Sequence, residues 1–424
     1  MSLLELSDAD RKILEAVRRF PNNKKTKIAE LAGVPWATAT ASIDKLIENN
    51  ILVLVRENAD FEKNSLHISK NYAYFIGVSI GTSHIKVCVL DFSFGYVRRE
   101  NNCGNNNLNE IYINDFLPKE SIFRSEFWEK NGFNADQEGM ARWCADTPDR
   151  ELIDIKKLIN NLCDFALELK SYANVLAIGF SFPGYIDHLN NSIVKSKNLD
   201  FNLQNVSMNM LFTSNKLESM NSRGIKICFE HNVKASAIAE KELGVLKNKE
   251  GNAAVFYFGA GLGVSFWLNG QLYRGKRNAS GQVGNISVFQ TRKLEDSIRE
   301  LFITEQDILE NSNSYENRLA IMRKMTAQEM AKILDEDIGT KKQKLVSYLS
   351  QAIFNINYLL DLDFVVLSGK LNIVYPTIEN EFQEQMIACD QTNIQIIPSA
   401  IGEFSAAVGT AIYSYYQCIG NNLD

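Results

Sequence analysis

Residues 74–95, YFIGVSIGTSHIKVCVLDFSFG, decide the fold. Tyr74 to Ser83 is a buried β-run, Ile85 to Leu90 a second strand, and Asp91-Phe92-Ser93-Phe94-Gly95 closes a hairpin turn. Further on, Leu152 to Lys170 has the pattern of a helix and Val175 to Phe182 that of a buried strand. This alternation continues over about 350 residues. It predicts an α/β fold whose sheet faces are covered by helices.

Upstream of Tyr72 the pattern is different. Ser7 is placed to N-cap a helix, with Asp8 and Asp10 in the first turn, where the helix dipole favours acids. Ile13, Leu14 and Val17 follow at helical spacing, and Pro21-Asn22-Asn23 ends the element. A second short helix is expected over Thr26 to Ala32 and is broken by Gly33. A third starts near Pro35 and buries Ala39, Ile43, Leu46 and Ile47. Ile51 to Val55 then reads as a strand, residues 57–63 as a polar turn, and Ser65 to Ser69 as a return strand.

Three helices with a Gly-containing turn, followed by a hairpin, form a winged helix-turn-helix. The third helix would present Pro35, Trp36, Thr38, Thr40 and Lys45 to base edges, a face poor in Arg. Lys24, Lys25 and Lys27 crowd the entry to the second helix and suit phosphate contacts; His67 lies on the wing. The alternative is a winged helix used only for protein contacts.

Composition narrows the class. The chain has 424 residues and a net charge of −6, but 11 Lys and Arg stand against 10 Asp and Glu in residues 1–70. A slightly basic head on an acidic body is compatible with nucleic acid, though too weak to argue for it alone. No apolar run is long enough to span a membrane, and the N-terminus lacks the apolar stretch of a signal peptide. Seven cysteines, at 88, 103, 144, 163, 228, 389 and 418, are scattered singly with no CxxC pair. They read as reduced thiols in a cytoplasmic protein, and neither a metal site nor a cofactor is expected.

Several motifs from Tyr72 onward together resemble the ROK family (repressors, open reading frames, kinases). Gly77-Val78-Ser79-Ile80-Gly81-Thr82 is similar to its first phosphate motif. Gly179 to Asp187, with Pro183 and Gly184, is similar to its G-x-x-x-P-G-x-x-D segment, and Asn198-Leu199 follows at the family distance. Phe229-Glu230-His231-Asn232 resembles the segment carrying the catalytic acid. Gly259-Ala260-Gly261-Leu262-Gly263 resembles the second phosphate loop, and Gly281 to Asn285 the sugar loop. Val366-Leu367-Ser368-Gly369 and Gly402 to Gly409 resemble the closing motifs. The resemblance implies an actin-like, hexokinase-like body of two lobes. A winged helix in front corresponds to the family's regulators.

The departures from the motifs carry chemistry. Family kinases have aspartates where this chain has Ser79 and Asn232. An amide is no base near neutral pH and a serine carries no charge for magnesium; loss of a base alone typically costs roughly 10²- to 10⁴-fold. Ala260 replaces a threonine, and Lys370 stands where a second glycine usually admits adenosine. The resemblance therefore implies degenerate nucleotide loops (Ser79, Gly81, Thr82, Gly259, Gly261, Gly263, Gly369) and no kinase activity. On the sugar side, His231, Asn232, Gln282 and Asn285 all keep hydrogen-bonding groups, and Glu295 matches a family sugar ligand.

These readings divide the chain into a winged helix-turn-helix at 1–70, a first lobe at 71–200 and a second at 201–403. An insertion at about 98–150 and the C-terminal helix 404–424 go with the first lobe. The insertion holds an Asn-rich run, Asn101 to Asn109, and six aromatics from Phe116 to Trp143. It is either packed on the body, at a subunit interface, or a flap over the cleft. The function expected is a homo-oligomeric regulator, repressor rather than activator, that binds a double-stranded DNA operator and is tuned by a sugar or sugar phosphate. An active sugar kinase and a regulator controlled by a partner protein are the alternatives.

Overall fold

The computed structural model describes residues 5–56, 64–99, 117–131, 133–137, 139–147, 152–188, 190, 192–196, 203–288, 292–303, 320–322, 324–337 and 340–420. The wing tip (57–63), the Asn-rich run with Phe116, and Asn198-Leu199 lie outside the described residues.

The N-terminal unit contains α1 (Asp8–Arg19), α2 (Lys25–Leu31), α3 (Trp36–Glu48) and a hairpin of β1 (Leu52–Arg56) and β2 (Asn64–Ile68). Ser7 and Asp10 form a reciprocal capping box at α1, which satisfies two amide groups that the first turn leaves unpaired. Ile13, Leu14, Val17, Ile28, Ala39, Ile43 and Leu46 bury the three helices against one another. The Leu66 N–H donates to the Asn23 carbonyl at 2.9 Å, tying the wing to the entry of α2.

The body then adds β3 (Tyr74–Ile80), β4 (His84–Asp91), α4 (Glu126–Lys130), β5 (Asn134–Ala135), β6 (Arg142–Asp146), α5 (Leu152–Lys170) and β7 (Val175–Phe182). After a small sheet of β8 (Tyr185–Asp187), β9 (Ser192–Ser196) and β10 (Leu203–Ser207) come α6 (Ser214–Ser222), β11 (Lys226–His231) and α7 (Asn232–Glu242). The second lobe holds β12 (Ala253–Phe258), β13 (Leu262–Leu268), β14 (Gln271–Tyr273), β15 (Ser287–Val288), β16 (Arg292–Lys293), α8 (Leu294–Phe302), α9 (Ala327–Glu336) and α10 (Thr340–Leu360). It ends with β17 (Phe364–Gly369), α11 (Lys370–Val374), α12 (Glu379–Ala388) and β18 (Gln395–Pro398); the last helix is α13 (Ser405–Ile419).

The first sheet has the order β11-β7-β3-β4-β6-β5 and the second β14-β13-β12-β17-β18. Alternation along β3 sorts its side chains by face. Tyr74, Ile76, Val78 and Ile80 join the cluster under α5, whereas Phe75 joins the one under α13. Gly77 lets α13 lie close, since a Cβ there would overlap the Ala407 carbonyl. Between the lobes α13 packs on the first sheet, α7 on the second, and the two helices on each other. At their crossing a Cβ on Gly409 would overlap the Ala235 carbonyl oxygen, so the two backbones touch.

One expectation needs correction. The strand Lys226–His231, placed above with the second lobe at 201–403, pairs in parallel with β7 and is an edge strand of the first sheet. Of the alternatives raised for the insertion, its described part takes the first, packing on the body. β6 extends the first sheet beside β4, and Phe123, Phe127, Trp128, Phe133 and Trp143 are buried in the cluster that includes Phe165 of α5. Trp128 stacks on Trp143 with centroids 4.0 Å apart. No described helix is long and apolar enough to cross a membrane.

Candidate functional site: a cleft between the lobes

A cavity of about 750 Å³ opens between the two sheets. The ends of β3 and β11, the β12–β13 turn and the start of α7 bring Ser79, Gly81, Thr82, His231, Asn232, Gly259, Gly261 and Gly263 to its wall. Gln282, Asn285, Glu295 and Gly369 line it as well, so every effector and nucleotide-loop residue named from the sequence faces this one cavity.

Its floor holds two unsatisfied polar atoms. Asn232 is 4 % exposed; its Nδ2 donates to the Ile80 carbonyl at 3.4 Å, and its Oδ1 is buried with no hydrogen-bond partner among the described residues. The Nδ1 of His231 is buried and partnerless in the same sense. Burial foremost, then the nearby Lys234 charge, lowers the His231 pKa to about 3, so its ring is neutral at physiological pH. Buried polar atoms without partners cost free energy, and a ligand hydroxyl can satisfy both kinds.

Behind the floor lies an ionic support. Glu230 is fully buried and accepts from Arg274 Nη1 at 2.6 Å and from the His231 backbone N–H at 2.7 Å; His188 Nε2 stands 3.5 Å away. Burial alone would raise this carboxyl's pKa, but the guanidinium and imidazole hold it well below the usual carboxylate range. Lys234, 1 % exposed, donates to the Asn278 carbonyl at 3.0 Å.

Burial lowers the Lys234 pKa from 10.5 to about 8, against the opposing pull of Glu230. In that window the unfolded chain binds the proton more tightly than the folded one, so Lys234 makes stability rise with pH from about 8 to 10.5. Urea denaturation at the two ends of the window should show a gain that Lys234→Met loses in large part. An equal gain in the variant would refute this assignment.

The remaining walls add Lys86 and Glu403, with Arg299 behind Glu295, none of them singled out from the sequence, beside Lys370, which was. Lys86 donates to Glu403 Oε2 at 3.1 Å, and Lys370 donates to the carbonyls of Met322 and Met325, each at 2.7 Å. Burial lowers the Lys370 pKa to about 8. Arg299, 1 % exposed, joins Glu295 (3.4 Å) to the Ala260 carbonyl (2.9 Å). Thus both carboxylates lining the cleft, Glu295 and Glu403, face cations. Lys86 had a sequence signal in a charge set inside the apolar strand β4; Glu403 and Arg299 had none.

The helix-turn-helix residues are separate from this cleft. Pro35 precedes α3, and Trp36 and Thr38 are exposed at its start, with Trp36 at 51 %. Thr40 donates back to the Trp36 carbonyl. Three of the four lysines are paired inside the unit: Lys25 with Asp44, Lys27 with Glu30 and Lys45 with the buried Asp10. Lys45 is therefore partly structural. His67 shares a hydrogen bond with Ser65, and Lys24 is exposed.

A two-lobed, hexokinase-like body with a cleft between its sheets, preceded by a helix-turn-helix and wing, defines the class. The ROK family profile matches residues 134–415, and the chain belongs to the ROK family. It is similar to the xylose repressor of Bacillus subtilis (strain 168), 23 % identical over 263 residues, or 59 % of this chain and 64 % of that one; the match thus spans less than two thirds of that relative. The xylose repressor of Bacillus spizizenii is 20 % identical over 411 residues, 94 % of this chain and 92 % of that protein. Among solved structures, a ROK family transcriptional regulator described as a homolog of the E. coli MLC protein shares the fold over 97 % of this chain and 98 % of its own, with a TM-score of 0.64 at 15 % identity. A ROK family glucokinase from Streptomyces griseus shares the fold over 80 % of this chain and 98 % of its own, at a TM-score of 0.51 and 15 % identity.

Proposed function

We propose that this chain is a sugar-responsive transcriptional repressor, whose winged helix holds operator DNA and whose kinase-like cleft senses a sugar without phosphorylating it. The observation that carries this reading is the cleft floor. It keeps the hydrogen-bonding groups a polyol needs, Asn232 Oδ1 and His231 Nδ1, but has an amide and a hydroxyl, Asn232 and Ser79, in place of carboxylates. Phosphoryl transfer needs a base for the attacking hydroxyl and charge to hold the metal-bound phosphates. A neutral imidazole with a pKa near 3 is a poor base, and Glu295 and Glu403 face Arg299 and Lys86. The xylose repressors among its relatives support the same reading and make D-xylose the first sugar to try.

A homodimer would set two winged helices on two half-sites an integral number of helical turns apart. Sugar binding would favour one closure state of the lobes and shift operator affinity by its differential affinity for the two states. The test is selection of sheared genomic DNA by the purified chain, with and without a panel of sugars. Enrichment of inverted repeats, altered by one sugar, is expected; no enrichment under any condition would refute the regulator. Sugar-dependent ATP turnover would instead support a kinase.

Phosphate contacts should be few. Lys25, Lys27 and Lys45 already face carboxylates, which leaves Lys24 as the cleanest phosphate partner. Lys24→Ala should weaken binding to all sequences alike and reduce the salt slope of log K by about 1. An unchanged slope would place the phosphate contact elsewhere.

A further inference from the structure

The sequence makes Arg18 look like an ordinary cation in the last turn of a surface helix, but it is 8 % exposed and points away from the winged-helix core, into the body. Its Nη2 donates to the Phe92 carbonyl at 3.2 Å, and its guanidinium lies over the rings of Tyr415 and Phe94, 3.9 and 4.1 Å from their centroids. Nη1 donates to Glu15 Oε1 at 2.8 Å. Glu15 in turn accepts from the hydroxyls of Tyr415 and Tyr416, both at 3.3 Å. Two residues of α1 are thus held by the hairpin turn after β4 and by the last turns of α13. A buried guanidinium between two aromatic faces and a carboxylate is held more firmly than an exposed one. Module and body also share one continuous apolar cluster across this joint.

α7 reaches the same joint, since its last residue, Glu242, hydrogen-bonds Tyr416 and faces Arg19, and the other ends of α7 and α13 lie at the cleft. α7 begins at Asn232, and α13 begins two residues after Glu403, the partner of Lys86. Buried hydroxyls of Ser236, Ser368 and Ser405 link α7, β17 and α13 at 2.9 to 3.2 Å. At Gly409 the backbones of α13 and α7 are in direct contact, so the two helices pack as closely as helices can. At 1.5 Å per residue, α13 spans about 22 Å from cleft to joint.

We infer that α7 and α13 form one rigid strut between the cleft and the DNA module, and that Arg18 and Glu15 are the positioning residues through which the state of the cleft sets the placement of the winged helix. This rests on the regulator reading above. Neither residue lines the cleft or belongs to the DNA-contacting set, so their effect is on coupling between two sites.

The experiment measures operator affinity of the full chain with and without millimolar D-xylose, together with D-xylose affinity, for wild type, Arg18→Met and the milder Tyr416→Phe. The wild type should show a shift of about tenfold or more. In the variants that shift should fall below about twofold while D-xylose affinity stays within about twofold of wild type. A folded variant that keeps the wild-type shift would overturn the inference. If D-xylose does not move operator binding in the wild type, the regulator reading is in question for that sugar but the joint is still testable by calorimetry. Wild type should then unfold in one transition and Arg18→Met in two, with the module melting first. A single transition in both would overturn the role of Arg18 in the joint, and two transitions in both would overturn the rigid strut.

Discussion

Asn232→Leu should make the protein more stable and at the same time deaf to its sugar. The side chain is 4 % exposed, its Oδ1 has no partner among the described residues, and its one hydrogen bond is long, at 3.4 Å. An unsatisfied buried acceptor costs about 1–3 kcal/mol, and leucine has nearly the same shape without it. The Ile80 carbonyl loses a weak donor, which offsets part of the gain. A net stabilisation of about 1 kcal/mol is therefore expected in urea denaturation. Ligand binding should move the other way. If a sugar hydroxyl donates to Oδ1, its loss should weaken binding by roughly tenfold to a hundredfold in a calorimetric titration. Retention of wild-type sugar affinity would show that the cleft does not use this floor. A drop in stability would show that Oδ1 is satisfied in solution.

This opposition of stability and binding is what a functional polar site predicts. It also separates a ligand cleft from a vestigial one. The floor carries two orphaned polar atoms beside the Glu230–Arg274 pair, and a bound sugar is what would offset their cost.

Much of the architecture could be read from local pattern. The buried run of β3, the Ser7 cap and the break at Gly33 each depend on residues within a few positions of one another. Motif order placed the cleft residues, because the loops that carry them all end at the same edge of the two sheets. What was not legible depends on distant partners. β11 looks like a strand in isolation, but nothing local says that it pairs with β7. Lys45 reads as a groove-facing cation until the fold brings the buried Asp10 to it from 35 residues away. Arg18 is the extreme case, since its partners lie 74 and almost 400 residues further along the chain.

Arg274→Ala should be among the most damaging single changes in the body. Glu230 is fully buried, and Arg274 is its closest ionic partner, at 2.6 Å with only 14 % of the arginine side chain exposed. Assembling such a pair gains little, because both charges lose water, but removing one member leaves the other buried and uncompensated. The expected loss is about 3–5 kcal/mol in urea denaturation at neutral pH. The pH dependence identifies the cause. The folded pKa of Glu230 lies below its ordinary 4.5, so its stabilisation is present above that pH and is lost as pH falls toward the folded value. Without the guanidinium the carboxyl should instead titrate upward, with burial now the dominant influence, and the variant should lose less than wild type on acidification. The two stabilities should therefore converge below about pH 4.5. A gap that stays constant with pH would mean that arginine acts by packing alone. The consequence reaches the cleft as well, because the same carboxylate holds the His231 backbone N–H at 2.7 Å. Where Arg274→Ala still folds, it should displace the strand end that presents His231 and Asn232, and sugar affinity should fall even though Arg274 does not line that cavity.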